Sequence, residues 1–170
     1  MTSFDASMDR DANRVPLTGT YPFRTKRTIT FNGAVDDDWG EDTGALDGGA
    51  LFTVTGLVFA KLIAVCTTSL ESAGGGTLQV GITGSEGIFM SSETATQIDA
   101  GQIWFNDAGN ATSGIIGEEA AAADNLPEYA INGIDIILST ATADIESGVL
   151  DFYALWKPIS DDGSIVATTT

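Results

Sequence analysis

The chain has no histidine among its 170 residues. That removes the commonest general base and the commonest metal ligand at neutral pH. Cys66 is the only cysteine, so no disulfide closes within the chain and no cysteine pair can hold zinc. It sits in an apolar run, the setting of an inert core thiol. Seven basic residues stand against 24 acidic ones, for a formal net charge of −17. Such a surface repels nucleic acid and anionic membranes over most of its area. The longest apolar stretch, 57–66, is interrupted by Lys61 and is too short to span a bilayer. The opening Met-Thr-Ser-Phe-Asp has no signal-peptide pattern, so the expectation is a non-secreted product, or one released by another route. No Gly-x-Ser-x-Gly elbow occurs, and Gly74, Gly75 and Gly76 are not followed by the Lys-Ser/Thr of a P-loop. A carboxylate pair of the glycosidase kind carries no weight, because so many acids produce such pairs by chance. The expectation is a protein with no catalytic residues, no metal, no cofactor, and no nucleic-acid or membrane partner.

What is present is strand. Apolar residues make up 43% of the chain and mean hydropathy is +0.12, enough for one folded core. Over 148–158, Leu150, Phe152, Ala154 and Trp156 share one side of an extended chain, while Val149, Asp151, Tyr153, Leu155 and Lys157 share the other. This period of two, rich in aromatics, predicts a central strand ending at Pro158. Residues 26–32 predict another, with Arg27, Ile29 and Phe31 on one side, and 77–83 alternate cleanly through Leu78, Val80 and Ile82. Further strands are expected at 50–55, 88–90, 94–98, 103–105, 135–140 and 165–166. Residues 106–117 read as loop. Glu118 and Glu119 ahead of four alanines predict one short helix over 118–125. Short strands between frequent turn signals predict an all-β fold, a β-sandwich with the jelly roll as a candidate arrangement, over 26–170.

The stretch 57–66 differs from the other strands. Leu57, Phe59, Ile63 and Val65 point one way; Val58, Ala60, Leu62, Ala64 and Cys66 point the other. Both faces are apolar apart from Lys61, so both need a cover. Leu57, Phe59, Ile63 and Val65 are therefore the expected contacts with another copy in a homo-oligomer.

Charge is segregated along the chain. Residues 1–27 carry five basic and three acidic residues, net +2, and residues 28–170 carry two basic and 21 acidic, net −19. Residues 1–25, polar and holding Pro16 and Pro22, read as an extended arm. It is either a solvated tail or a docking arm whose Arg10, Arg14, Arg24, Lys26 and Arg27 grip an acidic partner or a neighbouring copy. The acidic segment 36–49 invites a calcium reading. Counted from Asp36, however, Glu41 takes the place of the glycine that an EF-hand loop requires, so a hydrated loop is the default.

Three blocks also carry a resemblance. Residues 54–68, from Val-Thr-Gly-Leu-Val to Val-Cys-Thr-Thr, form the first. Residues 94–104, Thr-Ala-Thr-Gln-Ile-Asp-Ala-Gly-Gln-Ile-Trp, form the second. Residues 135–138 with 148–163, including Phe-Tyr-Ala-Leu-Trp-Lys-Pro-Ile-Ser-Asp-Asp-Gly, form the third. Together they resemble the capsid decoration (cement) proteins of tailed bacteriophages. The resemblance implies a virion structural protein on the outer capsid surface, made in the host cytoplasm. It would be trimeric, with the major capsid protein as partner, and would tie neighbouring capsomers together. The arm lies outside these blocks. The alternative is a carbohydrate- or host-binding sandwich of a head fibre or tail, with Trp39 or Trp104 stacking on sugar, although packing in the core is the favoured role for both.

Overall fold

A computed structural model describes residues 23–33, 38–44, 46–106, 115–117 and 126–169. Eleven strands form among them: β1 (Phe23–Phe31), β2 (Gly49–Thr55), β3 (Leu57–Glu71), β4 (Thr77–Ile82), β5 (Ser85–Thr94), β6 (Ile103–Phe105), β7 (Ile115–Gly117), β8 (Tyr129–Asn132), β9 (Ile136–Ala141), β10 (Ser147–Pro158) and β11 (Ser164–Ala167). They make two antiparallel sheets packed face to face, an all-β sandwich. One sheet has the order β1-β10-β3-β6-β7, with β8 also on β3; the other is β11-β2-β9-β4-β5.

The alternation in the sequence is the cause. In β10, Leu150, Phe152, Ala154 and Trp156 all enter the core, and in β3 so do Val58, Ala60, Leu62, Ala64 and Cys66. From the other sheet Phe52, Val54, Leu78, Val80, Ile136 and Leu138 meet them. The expected central strand is central: of its twelve residues, nine pair with β1 and eleven with β3. Its start is irregular: Gly148 adopts φ 123°, and a Cβ there would lie 2.7 Å from the Ser69 carbonyl oxygen and 2.4 Å from the Leu70 side chain. Only glycine lets β3 and β10 approach this closely at their bulge.

Several local expectations are corrected. Residues 94–98 are not a strand: β5 runs into Thr94, and Ala95–Gln97 make a 3-10 turn whose Ala95 N–H donates to Gly76 O (2.9 Å) and whose Ile98 N–H donates to Ala95 O (2.9 Å). Residues 115–117, read as loop, form β7 against β6. β8 has no counterpart among the expected strands; its four residues hold as strand because β3 offers them a partner over Leu57–Ala60. β1 begins at Phe23, three residues earlier than expected, since Phe23 stacks on Trp156 with ring centroids 4.5 Å apart. The helix expected over 118–125 and the arm as far as residue 22 lie outside the described residues.

The edge strands β1 and β11 meet along one side of the sandwich. The Thr25 hydroxyl donates to Ile165 O (2.8 Å) and accepts from the Trp156 indole N–H (3.0 Å).

Candidate interaction face

The outer face of the six-stranded sheet collects the residues singled out from the sequence. On β3, Leu57, Phe59, Ile63 and Val65 are half-buried, with Lys61 among them, as the two-faced pattern requires. Antiparallel register sets their neighbours. Ile63 stands opposite Tyr153 and Tyr153 opposite Lys26; Lys61 stands opposite Leu155 and Leu155 opposite Arg24. Phe59 pairs with Lys157 and Val65 with both Asp151 and Ile103. The face is thus a half-apolar floor crossed by four cations.

The cations lie over that floor. The Arg24 guanidinium and the Lys26 ammonium each sit 5.7 Å from the Tyr153 ring centre, and the Lys157 ammonium sits 5.0 Å from that of Phe59. Lys26 Nζ also bonds Asp151 at 2.8 Å, and the Thr28 hydroxyl donates to the same carboxylate at 2.5 Å. Burial pushes the Asp151 carboxyl upward, but the hydrogen bonds from Lys26 and Thr28 outweigh it and hold the group below the usual carboxylate range. The same hydrogen bond raises Lys26 above the ordinary lysine value. Lys157 lies 3.7 Å from Glu128.

The docking role expected of Arg27 is corrected. Its residue is only 8% exposed, its Nη1 donates to Ala50 O (2.8 Å) and Leu51 O (3.2 Å), and its guanidinium stacks 5.0 Å from the Trp39 ring centre. Arg27 fastens β1 to β2 across the two sheets, and burial lowers its pKa. The sequence held the signal: Arg27 shares the phase of Ile29 and Phe31, both in the core. Arg24 and Lys26, in the opposite phase, do reach the surface. Arg10 and Arg14 lie outside the described residues.

The acidic loops gather at the end of the sandwich beyond Phe31. The Gly33 N–H donates to Ile145 O (2.9 Å), and the Ile145 N–H donates to Gly40 O (2.7 Å), which ties residues 38–44 to 142–146. Asp144 Oδ1 accepts from the Asp42 N–H (2.9 Å), Asp47 Oδ1 from the Thr140 N–H (2.8 Å), and Asp38 Oδ2 from Asn32 Nδ2 (3.3 Å). These carboxylates act as acceptors within the loops. Among the described residues no three His, Cys, Asp or Glu side chains converge as a metal site needs.

All three tryptophans are packed. Trp39 is 9% exposed, Trp104 is fully buried against Phe152, and Trp156 lies under Phe23. Neither Trp39 nor Trp104 offers a free ring to a sugar. Cys66 is buried, with its thiol on Thr68 O (3.1 Å), and burial pushes its pKa up to about 11.

No family model, curated protein or solved structure matches this chain.

Proposed function

We propose that the protein is a virion structural protein: a capsid decoration protein that binds the outer surface of a tailed-phage head, with the major capsid protein as partner, and works as a homo-oligomer without catalysis. The observation that carries the reading is the outer face of the six-stranded sheet, where a half-apolar floor under Arg24, Lys26, Lys61 and Lys157 is suited to a protein surface rather than to solvent. The block resemblance names the kind of partner. The strand order gives support in kind, because β1-β10-β3-β8 and β2-β9-β4-β5 interleave as the two four-stranded sheets of a jelly roll do, an architecture found in viral capsid and lectin domains. The carbohydrate-binding alternative loses its stacking platform with the burial of Trp39 and Trp104.

The test is co-sedimentation with purified phage heads, using the full chain and a form lacking residues 1–22. The cut stops before Phe23 because Phe23 packs on Trp156. The full chain is expected to pellet with heads and to be released by high salt, and the shortened form to bind more weakly through loss of Arg10 and Arg14. A full chain that stays in the supernatant at both salts contradicts the proposal. Equal binding of the two forms reduces residues 1–22 to a solvated tail.

A further inference from the structure

Basic charge on this molecule is gathered in space as well as along the chain, and the exposed carboxylates of Asp161 and Asp162 share the end where it lies. Among the described residues there are five basic side chains. Arg27 is buried, and the other four, Arg24, Lys26, Lys61 and Lys157, stand on the outer face of the six-stranded sheet, grouped towards the end where Phe23 opposite Trp156 begins the β1–β10 ladder. At the opposite end, beyond Phe31, lie Asp38, Glu41, Asp42, Glu71, Asp144 and Glu146. The last three are exposed, and no basic residue occurs in 38–44, 71–76 or 142–147.

We propose that the outer face of the six-stranded sheet receives the acidic loop end of a second copy of this chain. Charge complementarity selects this occupant. A nucleic acid or an anionic bilayer is a poor fit, because Asp151 and Glu128 stand among the cations and the remainder of the chain is strongly acidic. A surface of carboxylates on a protein scaffold meets the four cations, while its backbone and side chains cover Leu57, Phe59, Ile63 and Val65. The molecule itself displays such a surface at the end distant from its cations. The contact joins two different patches, so it is heterologous, and it closes into a ring where the rotation between copies allows. The inference deepens the homo-oligomeric part of the proposed function and does not require a shell.

The test is charge exchange between copies, read by sedimentation velocity on the full chain without phage heads. The wild type is expected to self-associate at low salt and to weaken by roughly tenfold or more at high salt. A face variant, Lys61→Glu with Lys157→Glu, and an end variant, Asp144→Lys with Glu146→Lys, are each expected to be monomeric where the wild type assembles. Mixed in equal amounts they should form a complex, because the end variant now offers lysines to a face that carries glutamates. Circular dichroism and thermal melting check that each variant is folded, and Lys61→Glu alone replaces the double face variant should that one unfold. The proposal is overturned by a wild type that is monomeric at both salts, by folded variants that assemble like the wild type, or by folded variants that ignore each other when mixed. A monomeric wild type whose head binding is lost in the face variant assigns the face to the shell instead, leaving the proposed function standing. Charge-exchange rescue in a protein that ignores heads supports the contact and removes the shell role.

Discussion

The two sheets present alike inner faces and unlike outer ones. Inside, both supply aliphatic and aromatic side chains to one core. Outside, the five-stranded sheet is mostly small and polar along its middle: Thr53, Gly81, Ser139 and Gln79, which bonds Glu86, beside a largely buried Ile137, with Val166 exposed next to a shallow groove along β2 and β11. The outer face of the six-stranded sheet instead carries Phe59, Ile63, Val65, Tyr153 and Leu155, interleaved with cations. Water can finish the first surface. The second leaves large apolar groups half covered, which is the ground for the self-association proposed there.

The largest effects should fall on the shared interior. Phe152→Ala in one sheet and Phe52→Ala in the other each remove a fully buried ring. Each should cost about 3–5 kcal/mol in denaturant unfolding. A loss below about 1 kcal/mol at either position would break the equivalence of the two inner faces.

A smaller effect belongs to the polar seam on the cationic face. Asp151→Asn removes the negative charge and one of the two oxygens that accept from Lys26 and Thr28. At neutral pH the melting temperature should fall by roughly 2–4 °C. Because the folded-state pKa of Asp151 is depressed, its contribution is present above the unfolded value of about 3.9 and is lost as the pH falls through the folded one. Lys26 is raised, so its share is present below the unfolded value of about 10.4 and is lost as the pH climbs through the higher folded one. The gap between wild type and variant should therefore close at both extremes, and a gap independent of pH contradicts the ion-pair account.

The smallest change in stability separates the two outer faces. Ile63→Thr and Val166→Thr should each shift unfolding by less than about 1 kcal/mol. Only Ile63→Thr should weaken self-association, measured by sedimentation side by side. Equal behaviour of the two would erase the distinction between the faces.

Much of this was legible in the sequence wherever a strand alternates over many residues. The pattern of 148–158 gave the inward set of β10, and 57–66 gave both faces of β3. Composition alone groups Arg27 with the other four cations near the start of the chain, whereas alternation separates it from Arg24 and Lys26. β8 escaped notice because four residues, Tyr-Ala-Ile-Asn, hold their shape through pairing with β3 and have little periodicity of their own. The assembly of Arg24, Lys26, Lys61 and Lys157 could not be read at all. Residues 61 and 157 are far apart in the chain, and only the β1–β10–β3 register brings them to one surface.

The seam between β1 and β11 has a mechanical consequence. β1 enters at the end where Phe23 meets Trp156 and runs towards Phe31, and β11 runs in the same direction, with Ser164 opposite Thr55 and Ala167 opposite Phe52. Tension applied through the start of β1 and the end of β11 thus acts along the strands. The nine pairs from Phe23–Trp156 to Phe31–Gly148 have hydrogen bonds crosswise to that pull, so they are sheared together and do not peel one after another. Resistance to a steady pull is governed by the unfolding rate. A sandwich strung in this direction would hold against a stretching load far longer than one whose end strands were drawn off sideways.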